Sequence, residues 1–230
     1  MSEVQQFLLI LKLEILNMPE VVVIDYGLGN LLSVRRGLEH CGATVTVTSD
    51  PDTILSAPRV VLPGVGAFAH GMAELRSQGL DVIVRKVAKQ GSILLGICLG
   101  MQMLLDESEE FGKTKGLGII SGSVVPVPST TISGFSQKIP HIGWNGLVLP
   151  QGFENWDGGL LQEISPGEAV YFVHSFMAVP NNPKHCIANC LIGGVPVPAT
   201  IGRDNIYGCQ FHPEKSGEIG LKILHRFLSL

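Results

Sequence analysis

The chain has few charged residues and no excess of positive charge. Only 16% of its 230 residues are charged, and the formal net charge is −4 at neutral pH. Proteins that bind nucleic acid through their surface field carry a clustered excess of lysine and arginine, which is missing here. The apolar share of 45% predicts instead a compact globular chain, and 230 residues suffice for one α/β domain with a sizeable core.

The chain lacks the even number of closely spaced cysteines that marks a disulfide-rich protein. Its five cysteines are widely spaced among apolar residues: Cys41, Cys98, Cys186, Cys190 and Cys209. This usage argues against a disulfide framework and predicts a reducing, cytoplasmic compartment. Cys186 and Cys190 are four residues apart, but no second pair of ligands accompanies them, so we expect no zinc or other metal site.

Long apolar runs are also missing. The most apolar stretch near the N-terminus, residues 7–15, is interrupted by Lys12 and Glu14 and is too short to span a bilayer. It also lacks the basic leader and the small-residue cleavage site of a signal peptide. We interpret residues 1–17 as an N-terminal extension of uncertain order. Because no repeat, low-complexity tract or linker divides the remainder, we predict one domain over residues 18–230.

What the chain does contain is an alternation of short apolar strands and helices. The predicted order is strand 21–24, helix from 31, strand 44–48, helix from 51, strand 60–62, helix 80–89 and strand 92–95. Segments rich in Val, Ile and Pro predict more strands, some antiparallel, within 117–127, 139–149, 169–173, 186–201 and 206–211, before a last helix at 216–228. The pattern predicts an α/β fold with a doubly wound, mostly parallel central sheet, flanking helices and additional antiparallel strands in the C-terminal half. Ligands bind such a sheet beyond the carboxyl ends of its strands.

One of these strands is followed by a cysteine with a glycine two residues away on each side. The segment is Gly96-Ile97-Cys98-Leu99-Gly100, and good helix formers follow it. A strand, a sharp turn and a helix make a nucleophile elbow, here with Cys where hydrolases have Ser. We expect side chains in place of the two glycines to collide with the neighbouring strand and helix. The start of the helix favours a thiolate, and the Leu99 N–H can stabilise an oxyanion. Taken alone, a buried structural cysteine is an equally good interpretation.

Two other strand ends precede glycine-rich loops. Residues 63–66 contain two glycines and can present backbone N–H groups to an anion, although an ordinary turn is the better interpretation of this loop in isolation. Residues 25–30 resemble a phosphate-binding loop, but Leu32 stands where the dinucleotide fingerprint has its last glycine. We therefore reject nucleotide binding there.

A histidine and a glutamate follow the last predicted strand. His212 can accept the proton of Cys98, and Glu214 can orient the imidazole and stabilise its charged form. Taken alone, His212 can be interpreted as a polar cap of the last helix, and Glu214 as a carboxylate that is favourable near a helix N-terminus. Their occurrence together with an elbow cysteine favours a catalytic triad. His174 also ends a predicted strand and can line the pocket. A hydrogen-bonded structural role is an equally good interpretation of this histidine.

Together, the motifs at residues 96–102, 63–66 and 212–214 resemble those of class I glutamine amidotransferases. Further segments narrow the resemblance to the glutaminase subunits of imidazole glycerol phosphate synthases in histidine biosynthesis, namely 25–31, 63–68, 141–145, 171–176 and 210–216. They lie in collinear order over about residues 19–230, and the departure from the pattern is the extension before Met18.

The resemblance implies a reaction and a set of site residues. Cys98 would attack the carboxamide of glutamine, His212 with Glu214 would transfer the proton, and a γ-glutamyl thioester would be hydrolysed to glutamate after ammonia leaves. The oxyanion hole would be formed by Val65, Gly66 and Leu99. The substrate would be held by Gly64, Gln102, Glu110, Ser175 and Phe176. No cofactor or metal is implied.

The resemblance also implies a partner, a (β/α)₈-barrel cyclase that forms a heterodimer with this chain. Ammonia would pass into the barrel and be used to make imidazole glycerol phosphate and an aminoimidazole carboxamide ribotide. The family's oxyanion hole resembles a switch that is completed only when the loaded partner is bound. Residues at or near the interface would be Asn30, Trp144, Tyr171 and Lys215, although core packing is an alternative for the two aromatic residues. No nucleic-acid or membrane partner is implied.

Three alternatives remain open at the level of sequence. The first is the glutaminase of another synthase, such as the one that makes pyridoxal phosphate, against which the segments 143–145 and 171–174 argue. The second is a flavodoxin-like binding module whose elbow cysteine is inert. The third is a cysteine peptidase on a similar fold, which would hydrolyse peptides and ignore glutamine.

Overall fold

A computed structural model describes residues 18–156 and 158–230 of the chain. The N-terminal extension expected over residues 1–17 lies outside the described residues. None of the helices in the described ranges is long and apolar enough to cross a membrane.

The first half of the described chain alternates strands and helices. In order these are β1 (Glu20–Ile24), α1 (Leu31–His40), β2 (Thr44–Thr48), α2 (Pro51–Ser56), β3 (Arg59–Leu62), α3 (Phe68–Ser77), α4 (Leu80–Gln90), β4 (Ile93–Ile97) and α5 (Leu99–Met103). Asp50 begins α2 as its N-cap, since its carboxylate accepts a hydrogen bond from the Thr53 N–H at 2.9 Å. The helix start expected at residue 51 is therefore confirmed.

The second half consists mainly of strands. These are β5 (Glu107–Ser108), β6 (Thr114–Lys115), β7 (Gly122–Pro126), β8 (His141–Gly146), β9 (Ala169–His174), β10 (Phe176–Pro180), β11 (Cys186–Ile192), β12 (Val195–Arg203) and β13 (Ile206–Cys209). Short 3₁₀ turns lie at Pro183–His185 and Pro213–Lys215, and the chain ends with α6 (Gly217–Ser229). The last helix expected at 216–228 is confirmed.

Seven strands form the central sheet, in the order β11-β12-β13-β4-β3-β1-β2. The five strands from β13 to β2 run parallel, and β12 and β11 extend the sheet in antiparallel pairing. Beside it lie a four-stranded sheet, β10-β7-β5-β6, and a two-stranded ribbon of β8 and β9. The mostly parallel sheet and the antiparallel strands of the C-terminal half are as predicted.

Helices cover both faces of the parallel part of the sheet. Val23, Val61 and Leu95 pack in one layer with α1 and α6, while Val22 and Val60 pack in the other with α2, α3 and α4. Successive residues of a strand point to opposite faces, so near-continuous apolar runs are needed where both faces are buried. The doubly wound arrangement thus follows from the composition of the strands.

Two glycines allow α5 to lie directly against the strand ends. A methyl group on Gly100 would overlap the carbonyl oxygen of Leu62, and one on Gly96 would stand 2.7 Å from the backbone nitrogen of Met101. The expected collision of side chains at these positions is confirmed. Overpacking of this kind costs about 1–3 kcal/mol or more, because backbone rather than a flexible side chain must move.

Candidate active site

The turn between β4 and α5 holds Cys98 in an unusual backbone conformation. Its φ is 54° and its ψ is −110°, a region that residues other than glycine rarely adopt. The Cys98 N–H donates to the carbonyl oxygen of Cys209 at 2.7 Å, which ties the turn to the end of β13. Cys98 is 8% exposed and lines a cavity at the carboxyl edge of the sheet.

A buried histidine–carboxylate pair lies beside this cysteine. Nδ1 of His212 is 2.8 Å from Oε1 of Glu214, and the two side chains are only 3% and 1% exposed. His212 and Cys98 line the same cavity, and Cys98 is among the groups that raise the pKa of the imidazole. The structure therefore brings together the three residues predicted to act as a triad.

The electrostatics of this pair favour a charged imidazole. Burial, the largest single influence, lowers the pKa of His212, but the neighbouring Cys98 and the hydrogen-bonded, charged Glu214 together raise it to about 9. At neutral pH His212 is therefore mainly an imidazolium, the form that results when it accepts a thiol proton.

Backbone contacts hold His212 against β9. The His212 N–H donates to the carbonyl oxygen of Tyr171 at 3.0 Å. The hydroxyl of Ser216 donates to the His212 carbonyl at 2.6 Å and accepts from the Tyr171 N–H at 3.0 Å. Ser216 is 1% exposed and so links the ribbon to the histidine segment. Sequence reasoning assigned no role to Ser216, and nothing local in the sequence signals this long-range contact.

Two glutamine side chains support the other side of the cysteine. Nε2 of Gln102 donates to the carbonyl of Phe176 at 3.1 Å and to Oε1 of Gln210 at 3.0 Å. Nε2 of Gln210 lies 3.7 Å from Sγ of Cys98. The structure thus places Gln102, a predicted substrate-binding residue, in a network that reaches the sulfur through Gln210, which the sequence interpretation overlooked.

The cavity beside Cys98 has a volume of about 270 Å³. It brings together most of the residues predicted to bind substrate or an oxyanion. The residues that line it are Val65, Gly66, Cys98, Leu99, Gln102, Glu110, Pro140, Val173, His174, Ser175, Phe176 and His212. Gly64, which was also predicted to bind substrate, does not line it. A Cβ at Gly64 would stand 2.6 Å from the Tyr26 hydroxyl oxygen and 3.0 Å from Cβ of Leu99, so this glycine packs behind the cavity wall.

The loop after β3 and the carboxylate of Glu110 close the cavity on one side. The buried Tyr26 hydroxyl donates to the Pro63 carbonyl at 2.8 Å and fixes the start of the loop. Gly66 has a φ of 97°, which favours glycine, and Val65 is 39% exposed at the mouth. Oε2 of Glu110 accepts from the Phe68 N–H at 2.6 Å and so caps the start of α3.

The predicted interface residues lie on one side of this site. Trp144 is 58% exposed and packs edge-on against Tyr171 at a ring-centroid distance of 6.0 Å. Ile142 and Val173 are paired next to them in the ribbon and are 57% and 36% exposed. We define these four residues as the outer face of the ribbon. The exposure of Trp144 does not fit the alternative of plain core packing.

Two further predicted interface residues flank the elements that carry the site. Lys215 is exposed on the 3₁₀ turn that contains Glu214, and Asn30 is half-buried at the start of α1.

The other four cysteines have thiols whose pKa is raised mainly by burial. All five are free, and burial raises the pKa of Cys186 to about 11 and that of Cys190 to about 12. These two thiols are therefore neutral at physiological pH. Within residues 18–156 and 158–230, no group of three or more His, Cys, Asp or Glu side chains is arranged to hold a metal ion.

Comparisons with known proteins agree with this geometry. The model of the family described as glutamine amidotransferase class-I matches residues 22–229. Imidazole glycerol phosphate synthase subunit HisH 1 of Legionella pneumophila (strain Lens) is 51% identical over 213 residues, which are 93% of this chain and 100% of that protein. Imidazole glycerol phosphate synthase subunit HisH of Geobacillus sp. (strain WCH70) is 47% identical over 208 residues, or 90% of this chain and 95% of that protein.

Solved structures share the fold at lower identity. PurLQS from Thermotoga maritima superposes with a TM-score of 0.67 at 18% identity and covers 92% of this chain and 98% of its own. A crystal structure of a glutamine amidotransferase gives a TM-score of 0.67 at 16% identity, covering 91% of this chain and 99% of its own. At these identities the likeness concerns the fold alone.

The coupling between His212 and Glu214 yields a direct prediction. In the Glu214→Gln variant the imidazolium loses its buried anionic partner, so the pKa of His212 should fall well below the value of about 9 in the unmodified chain. NMR titration of the His212 ring measures this pKa. Glu218→Gln, which removes the same charge from the exposed first turn of α6, is the matched control and should leave the titration unchanged. An equal pKa in both variants would contradict the coupling.

Proposed function

We propose that this chain, which belongs to the class I glutamine amidotransferases, is the glutaminase subunit of an imidazole glycerol phosphate synthase. The observation that carries the chemistry is that Cys98 lines a small cavity together with His212, whose imidazole is hydrogen-bonded to the buried Glu214 carboxylate. The choice of synthase rests on the relatives of this name, which are about half identical over nine-tenths or more of the chain. Family membership and these relatives favour the proposal over a flavodoxin-like module, a cysteine peptidase and the glutaminase of another synthase.

In the proposed reaction, the Cys98 sulfur attacks the carboxamide carbon of glutamine while His212 holds the thiol proton. The imidazolium gives this proton to the amide nitrogen, the C–N bond breaks, and ammonia leaves a γ-glutamyl thioester. A water molecule then attacks the thioester, and its proton returns the sulfur to its starting form through His212. Glutamine and water thus yield glutamate and ammonia, with Glu214 stabilising the charged imidazole throughout.

The oxyanion of each tetrahedral intermediate would be bound by backbone N–H groups. Leu99 supplies one at the start of α5, next to the nucleophile, and the Val65–Gly66 peptide supplies another from the loop after β3. One such donor is typically worth roughly 10²–10³ in rate. Because Gly66 is conformationally permissive and Val65 is exposed, we propose that this peptide is set by the partner, so that turnover depends on assembly.

The remaining cavity residues would hold the amino-acid end of glutamine. The Glu110 carboxylate can attract the α-ammonium group, and the backbone at Ser175 and Phe176 is positioned by the break between β9 and β10. Since the Gln102 amide already donates to Phe176 and Gln210, we propose that Gln102 shapes the pocket through these two residues. Gly64 would contribute by allowing the loop to approach Leu99.

We propose further that residues 18–230 form one amidotransferase domain that works in the cytoplasm as a heterodimer with a (β/α)₈-barrel cyclase. The outer face of the ribbon is an exposed apolar strip next to the cavity, and with Asn30 and Lys215 it would form the docking surface. Ammonia released at Cys98 would then pass to the cyclase without meeting solvent and be used to make imidazole glycerol phosphate and aminoimidazole carboxamide ribotide.

Glutamate release from glutamine tests the proposed activity. We expect the chain to turn over glutamine when its cyclase partner and the partner's ligand are present, and much more slowly without them. Cys98→Ala should abolish turnover because it removes the sulfur that attacks the carboxamide. Cys41→Ala, which removes a distant half-buried thiol, should retain it. No ligand-stimulated release by the unmodified complex would refute the proposed function.

The docking surface has its own test. Ile142→Asp places a charge on the outer face of the ribbon and should weaken binding to the cyclase by roughly 10–100-fold, since a desolvated charge would replace an apolar contact. Val82→Asp, on α4, changes a similar aliphatic residue of comparable exposure, 50% against 57%, and should bind normally. Titration calorimetry measures both affinities. Equal affinities for the two variants would mean that the partner docks elsewhere.

A further inference from the structure

His174 is a buried imidazole to which the reaction above gives no task. It ends β9, is 6% exposed, and lines the cavity together with Cys98 and His212. Its Nδ1 lies 2.8 Å from the carbonyl oxygen of Phe176. A carbonyl oxygen can only accept, so Nδ1 must carry the hydrogen. In a neutral ring the other nitrogen, Nε2, then has a free lone pair and can only accept a hydrogen bond.

The ring is neutral at physiological pH. The pKa of His174 is lowered to about 4, mainly by burial; the hydrogen bond to Phe176 opposes this shift, and the charges of His141 and His212 add to it. A second positive charge next to a protonated His212 would be repelled. Nε2 of His174 therefore remains an acceptor under the conditions in which His212 is charged.

This acceptor has no partner in the part of the chain that the structure describes. Nε2 of His174 is buried and unpaired, and so is Nε2 of His141, whose ring stands edge-on to it at a centroid distance of 5.7 Å. Phe172 packs against the His174 ring at the same distance and restricts its rotation. Native proteins leave few buried polar atoms unpaired, because an unmet acceptor loses its hydration without compensation. The His174 ring lines the cavity, so a donor bound there is the candidate partner for this lone pair.

We propose that His174 is a substrate-binding residue whose Nε2 accepts a hydrogen bond from the carboxamide N–H of glutamine and so selects amides over esters and carboxylates. The inference rests on the glutaminase function proposed above. A carboxamide offers one oxygen acceptor and two N–H donors. Oxyanion-hole N–H groups can recognise the oxygen, but only an acceptor can recognise the nitrogen.

The contact also fits the order of events in the reaction. With one N–H held by His174, the lone pair that develops on the nitrogen stays free to take the proton from His212, after which the C–N bond breaks. The product carboxylate of glutamate has acceptors only. Because the carboxylate has no hydrogen to donate to Nε2 of His174, it cannot form this hydrogen bond, which favours its release.

Two variants distinguish the proposed acceptor role of His174 Nε2 from the hydrogen bond that Nδ1 donates to the Phe176 carbonyl. His174→Asn keeps an amide donor near the position of Nδ1 for the Phe176 carbonyl but removes the outer nitrogen. His174→Gln instead places an amide oxygen near the position of Nε2. His141→Asn is the matched control, since His141 lies opposite His174 in the ribbon and is not among the residues that line the cavity.

The measurement is kcat/KM for glutamate release from glutamine and from the γ-methyl ester of glutamate, which has no N–H at the reacting centre. Each variant is assayed in complex with the cyclase and its ligand, after its thermal unfolding has been checked. For His174→Asn we expect a loss of roughly tenfold with glutamine and less than about twofold with the ester. His174→Gln should recover part of the preference for the amide, and His141→Asn should keep the ratio of the unmodified complex.

Equal losses with both substrates, or no loss with either, would overturn the role of His174 while leaving the glutaminase function intact. If the unmodified complex releases glutamate from neither substrate, the proposed function itself fails and this inference fails with it. The ratio between the two substrates distinguishes substrate recognition from a purely structural role, which would slow both reactions alike.

Discussion

The close approach of α5 to the ends of β3 and β4 is the constraint on which the site depends. Gly96 and Gly100 make it possible, because a side chain at either position would collide with backbone. The short turn that results forces Cys98 to a φ of 54°, a conformation that persists only where the surroundings determine it. Its sulfur is thereby held at the carboxyl edge of the sheet, next to the strand ends that carry the loop after β3 and His212.

The ribbon of β8 and β9 connects this buried site with the surface. Its outer face carries Trp144 and Tyr171, and its inner face carries Phe172 in the core and His174 at the cavity. The backbone of β9 is also bonded to the segment of His212, directly and through Ser216. A partner bound to the outer face would therefore lie one strand away from the reacting groups. This gives a physical route for the proposed dependence of turnover on assembly.

Much of the architecture was predictable because it depends on local patterns. The apolar runs of β1 to β4 and the glycine spacing around Cys98 are signals contained within short segments. The carboxyl ends of parallel strands lie at one edge of the sheet, which predicts that His212 is near the elbow. The sequence interpretation missed α3, which starts without a side-chain cap from Ala67 and contains Gly71. It also missed β10, because only Ser175 separates it from β9 although it joins another sheet. The contacts of Gln210, Ser216 and Glu110 join residues that are 42 to 112 positions apart, so no local sequence pattern predicts them.

We have proposed that Cys98 is the nucleophile of a glutaminase whose cavity recognises glutamine. The most direct test is to treat the complex with a glutamine analogue that carries an electrophilic carbon in place of the carboxamide and to map the modified residue by mass spectrometry. We expect the label on Cys98 and expect added glutamine to protect against it. Labelling of another cysteine, or labelling of Cys98 that added glutamine does not reduce, would rule out this role of Cys98.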